Sequence, residues 1–141
     1  MPGLIKNDQM KRVPKDWGWE LWIVNNDLYC GKILFLKAGH WCSHHYHRVK
    51  DEVLYVNEGA IVMASDTLPG SQLRYDLMTV GTGWHVVPNT PHQMYAIADT
   101  YIYEFSTHHE DSDSYRLSRD LQIPKEELQK LETLWRLGEN P

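Results

Sequence analysis

Between residues 20 and 105, apolar and polar positions alternate in short runs broken by turn residues. This is the period-two signature of strands with one buried face. "LWIVNN" (21–26) closes on an Asn-rich turn, and "YCGKILFLKAG" (29–39) closes on Gly39. "DEVLYVNEGAIVMAS" (51–65) reads as two strands hinged at "NEG", with Gly59 where a positive φ is tolerated. "LRYDLMTVGTG" (73–83), "WHVVP" (84–88) and "QMYAIADTYIYEFST" (93–107) continue the pattern. Turn signals at this spacing predict a small all-β sandwich or barrel over about 17–107. The stretch "HHEDSDSYRLSRD" (108–120) is polar and predicts a loop, 108–122, lying back over the barrel. The period then lengthens. In "IPKEELQKLETLWRLG" (123–138), Leu128, Leu131, Leu134 and Trp135 form one stripe, Pro124 and two glutamates suit the first turn, and Gly138 suits the stop. This predicts a C-terminal helix over about 124–137, packed on the outside of a sheet.

Composition narrows the function classes. A length of 141 residues fits a single domain spanning 1–141, long enough to bury a core without disulfides. The net charge of −5, with no basic run, argues against nucleic acid or an anionic membrane as partner. Residues 1–15 hold no apolar stretch of signal-peptide length, and Cys30 and Cys42 read as free thiols. A cytoplasmic protein is the expectation.

The chemistry concentrates in "GHWCSHHYHRVKDE" (39–52), which holds four of the eight histidines. On a strand, His45 and His47 share one face, while His44 and Tyr46 share the other. Glu52 follows across a tight connection and opens the next strand. Two imidazoles and a carboxylate can meet at one cation, and a fourth ligand is expected from another strand on the same inward face. His92, bracketed by prolines in "VVPNTPHQMYA", is the candidate. Three His and one Glu suit one divalent transition metal (Zn²⁺, Mn²⁺, Fe²⁺, Co²⁺ or Ni²⁺) and leave coordination positions open. His40 and His85 read as hydrogen-bonded structural groups. His44 reads as a surface or subunit contact, and His108 and His109 as exposed groups of the polar loop.

Gly39, His45, His47, Glu52 and Gly59 resemble the first motif of the cupin family, with every spacing kept. Gly81 and His92 match the second motif, in which Val87 replaces a proline, Asn89 a glycine and Ala96 an asparagine. The resemblance implies a cupin fold, the double-stranded β-helix or jelly-roll barrel, with His45, His47, Glu52 and His92 as metal ligands. A narrower likeness is to small cupins related to mannose-6-phosphate isomerase and other sugar isomerases. It rests on "WGWELW" (17–22), "GKILFLKAG" (31–39), "HYHRVKDEVLYV" (45–56), "VVPNTPHQM" (86–94) and "EFSTHHEDSDSYRL" (104–117).

That likeness implies a metal-dependent aldose–ketose isomerase or epimerase of a sugar or sugar phosphate, working by enediolate proton transfer. Glu104, if inward in "YIYEFST", is the candidate base; an ion pair with Lys32 or Arg116 is its alternative role. Lys32, an inward lysine by strand parity, is a second candidate catalytic group. Lys50 and Arg48 at the rim, with Arg116 and Trp41, are candidate substrate contacts. Two other functions fit the same ligands: a non-haem iron dioxygenase, and a non-catalytic metal- or sugar-binding module. A homodimer is also expected, with the aromatic-rich strand "DWGWELWIV" adding to a neighbour's sheet.

Overall fold

The computed structural model describes residues 2–66 and 73–138. Eleven strands run in chain order: β1 (Lys11–Lys15), β2 (Gly18–Asn25), β3 (Cys30–Leu36), β4 (His44–His47), β5 (Glu52–Glu58), β6 (Ala60–Ser65), β7 (Arg74–Thr79), β8 (Gly83–Val86), β9 (His92–Ala96), β10 (Thr100–Ser106) and β11 (Ser114–Ser118). Among the described residues a single α-helix, α1 (Lys125–Arg136), follows and matches the predicted C-terminal helix. The strands form two antiparallel sheets, ordered β1-β2-β3-β10-β5-β8 and β11-β4-β9-β6-β7. The two sheets are the all-β sandwich that the period-two pattern predicts, in the jelly-roll form that the resemblance implies.

Strand alternation explains the core. On β3, Cys30, Lys32, Leu34 and Leu36 are buried while the residues between them are only half covered. Leu34, Leu36, Leu54, Val56, Met94 and Ile102 share the interior between the sheets. β6 breaks the alternation, because all six of its residues are buried. Ile61 and Met63 face the interior, while Ala60, Val62 and Ala64 meet Ile123 and Leu131 on the outside. The helix therefore covers one face of the second sheet, which is why "AIVMA" reads as a continuous apolar run.

Three expectations change. The segment predicted as a polar loop, 108–122, contains β11, paired with β4 through Ser114↔His47, Tyr115↔Tyr46 and Arg116↔His45. Its alternation is too polar to signal a strand, and pairing with β4 holds it in place. The sheet also begins earlier than residue 17, because β1 pairs with β2. Four of the five β1 residues are exposed, and Pro14 and the charges that hide it from a hydropathy reading suit an edge strand. β2 is consequently an interior strand over its first five residues, 18–22, where β1 occupies the edge that "DWGWELWIV" was expected to offer a neighbour.

The "NEG" turn is a hinge but not a hairpin. β5 pairs with β10 and β8, whereas β6 pairs with β7 and β9, so the chain crosses between sheets here. Gly59 has φ +92°, and a Cβ there would run into the Asp99 carbonyl oxygen and the Thr100 hydroxyl. Only glycine fits both demands.

Candidate functional site

β4 and β9 present His45, His47 and His92 to the barrel interior, and His45 pairs in register with His92. One ring nitrogen of each histidine lies within 4.8 Å of the others. The remaining nitrogens are taken by backbone carbonyls. His45 Nδ1 donates to Ser43 O at 2.9 Å, His47 Nδ1 to Asp113 O at 3.0 Å, and His92 Nδ1 to Thr90 O at 2.9 Å. Each bond fixes the tautomer with the proton on Nδ1, so each Nε2 keeps its lone pair. Burial first, then the neighbouring His92, pushes His45 down to about 3. Burial likewise lowers His47. Imidazoles with convergent lone pairs are a donor set for a cation.

Glu52 enters from the opposite sheet, not from a neighbouring strand. Its Oε1 lies 3.5 Å from His92 Nε2 and its Oε2 lies 3.1 Å from Lys50 Nζ. Burial opposes its ionisation. The charge of Lys50, 3.1 Å away, outweighs burial and holds the carboxyl below the usual range.

Lys50 is the main correction to the expected site. It is not at the rim: it is 2% exposed and turned into the barrel. Its Nζ lies 2.7 Å from Glu104 Oε2, 3.1 Å from Glu52 Oε2 and 2.9 Å from His109 Nδ1. Three donors thus meet three acceptors. Burial works against the charge, but Glu104 and Glu52 together raise Lys50 above its ordinary range. The turn that inserts it is built on Asp113, whose carboxylate accepts the backbone N–H groups of Arg48, Val49 and Lys50. The same residue's carbonyl fixes His47, so one aspartate positions a histidine of the cluster and the buried lysine together.

Glu104 does point inward, and its ion-pair partner is Lys50 instead of Lys32 or Arg116. Burial, reinforced by the charge of Glu52, raises its carboxyl above the ordinary value. One ammonium cannot neutralise two buried carboxylates, and Glu104 carries the excess. Lys50 and Ser106 both bond its Oε2. Among the described residues no hydrogen bond engages Oε1.

These groups line one cavity of about 510 Å³, which also takes in Lys32, Trp41 and Arg116. Arg48 does not belong to it. Its guanidinium lies 4.4 Å from the centre of the Tyr115 ring on the outer surface, because its position on the Asp113-held turn points away from the barrel. Lys32 is buried against Glu20, at 3.5 Å, and the ring of Trp22. Trp41 stands at the mouth with its Nε1 donating to Arg119 O.

His109 was expected to be exposed, yet its side chain is 10% exposed and lines the cavity. Burial first, then Lys50, pushes it down to about 4. Its burial comes from contacts with Lys50 and Trp22, far away in the chain. His40 and His85 are hydrogen-bonded, to Ala38 O and to Asp51. His44 is no simple surface group, since its Nε2 is buried without a partner among the described residues. The departure at Asn89 is accommodated, because this asparagine adopts φ 64° and its N–H donates to His47 O.

No known family model and no curated protein sequence matches the chain. Solved structures do. The capsular polysaccharide assembling protein CapF from Staphylococcus aureus matches with a TM-score of 0.70 at 15% identity, over 77% of this chain and 32% of its own. An oxalate decarboxylase variant from Bacillus subtilis matches with 0.71 at 16% identity, over 96% and 37%. KdgF from Halomonas sp. matches with 0.64 at 15%, over 78% and 98%. The chain thus spans well under half the length of the first two and nearly all of the third. Another matching structure, with a TM-score of 0.71 at 15% identity, is the Bacillus oxalate decarboxylase with its Mn(II) centers. At these identities the likeness establishes the fold, the cupin jelly roll.

Proposed function

We propose that the chain is a metal-dependent isomerase or epimerase that moves a proton between adjacent carbons of a sugar or sugar phosphate. One observation carries the reading: a three-histidine donor set and a buried, cavity-facing glutamate share a single cavity. The donor set fits a divalent transition metal. His92 Nε2 faces Glu52 Oε1 at 3.5 Å while His92 Nδ1 is engaged by Thr90, so two lone pairs confront each other unless a cation lies nearby. His45, His47, His92 and Glu52 would hold the ion. The Mn(II) centers of the Bacillus oxalate decarboxylase, which has the same fold, make manganese the first ion to test.

When bound, the ion supplies a Lewis acid that polarises a carbonyl. The chain does the rest. Glu104 receives the proton at Oε1, and burial together with the charge of Glu52 raises its proton affinity above that of an ordinary carboxylate. Lys50 and Ser106 hold its other oxygen and so fix the carboxylate plane. His109, over the mouth, restricts water around the Lys50 ammonium. Trp41 offers a flat face at the entrance.

The test is incubation of manganese-loaded protein with aldoses, ketoses and their phosphates in D₂O. Deuterium should appear at the carbon next to the carbonyl without consumption of O₂, and Glu104→Gln should slow this by about 10²- to 10⁴-fold. Iron-dependent O₂ uptake would instead make the chain an oxygenase. Saturable sugar binding with no exchange would make it a binding module.

A further inference from the structure

The two buried lysines of the cavity differ in one respect. Lys50 has an acceptor for each of its three N–H donors. Lys32, 3% exposed and on the inner face of β3, has no such set. Among the described residues its ammonium meets only Glu20 Oε1, at 3.5 Å, and the Trp22 ring, at 4.0 Å from the centroid. Burying an ammonium with unmet donors is costly, and such groups are ordinarily satisfied by a partner or a ligand. Both Lys32 and Glu20 line the cavity.

Glu20 is equally incomplete. Its Oε1 takes the Trp22 indole N–H at 2.8 Å as well as the Lys32 contact, which leaves Oε2 to accept. The pair therefore presents donors and an acceptor side by side. Its geometry is fixed by Trp22, which is itself pinned by Lys11 at 4.3 Å and by the edge of His109 at 4.9 Å. A lone anion would be drawn to Lys32 but repelled by the neighbouring carboxylate. Two adjacent hydroxyls satisfy both: one accepts from Lys32, the other donates to Glu20.

We propose that Glu20 and Lys32 form a vicinal-diol subsite that binds an uncharged, hydroxyl-bearing stretch of the substrate, away from the histidine cluster. This rests on the sugar-processing reading above and makes the substrate class more specific: any phosphate it carries sits elsewhere. It also assigns Lys32 to substrate binding.

The test is calorimetric titration of the manganese-loaded protein with D-mannitol, which has vicinal hydroxyls and no carbonyl to be turned over. 1,6-Hexanediol and inorganic phosphate serve as comparison probes. Mannitol should bind and hexanediol should not. Glu20→Gln and Lys32→Met should each weaken mannitol by about 10- to 100-fold while metal content is unchanged. The double variant Glu20→Gln/Lys32→Met, which removes both charges together, guards against a folding failure of either single change and should be as weak. Mannitol binding equally well to these variants, or not binding the parent, overturns the proposal. So does tight phosphate binding that Glu20→Gln strengthens and Lys32→Met abolishes, which marks an anion site. Failure of the isomerase reading looks different: no deuterium exchange with any sugar, with mannitol binding still sensitive to Glu20 and Lys32.

Discussion

Asp113 shows how much of the site depends on residues that face away from the substrate. Its carboxylate closes the 48–50 turn and its carbonyl orients His47. Asp113→Ala should lower metal affinity by about 10- to 100-fold, as loss of a ligand-orienting partner does, measured by competition with a chromogenic chelator. Lys50 is the other sensitive position. Replacing it with Met leaves Glu52 and Glu104 buried without their shared cation, and the variant should lose about 3–5 kcal/mol in urea unfolding. Glu104 sets a pH dependence. Because burial and Glu52 raise its carboxyl, the acid limb of kcat/KM should lie above the ordinary value of 4.5, with activity rising as pH rises through it. Glu104→Gln should lack that limb.

At the scale of elements, the strands and the helix were legible because their apolar periods are regular. β3, β5 and β10 alternate cleanly, and α1 carries a continuous stripe. β1 and β11 were not legible, since "KRVPK" and "SYRLS" are polar edge segments whose order comes from their partners. The same limit applies to the site. The spacing of His45, His47 and His92 was readable, because ligands on one face must recur at strand intervals. The inward turn of Lys50 and the burial of His109 depend on contacts made by residues more than fifty positions away, which no local period reports. The crossover at Gly59 belongs to this scale too. Gly59→Ala adds a left-handed backbone penalty and a collision with the β10 entry, and should cost at least about 2 kcal/mol, read as a lowered Tm.

Across the whole molecule, two antiparallel sheets enclose charged groups that a barrel interior rarely tolerates. The cupin jelly roll gives them a common cavity, and no helix among the described residues is long and apolar enough to cross a membrane. Stability without metal should be pH-dependent in a defined direction. His45, His47 and His109 are held below 6.5 in the folded chain, so between those values and 6.5 the unfolded chain binds more protons. Their contribution is complete above 6.5 and is lost as pH falls, while the raised Glu104 alone acts in the opposite sense. Chelator-treated protein should therefore unfold at lower urea at pH 5 than at pH 7.5.

The most direct measurement is the metal content of the purified protein after equilibrium dialysis against manganese, beside a His45→Ala/His47→Ala variant that is shown to be folded. About one ion per chain in the parent and none in the variant is the predicted result. No retained ion in the parent with any of the five candidate metals, or equal retention by both proteins, would contradict the account.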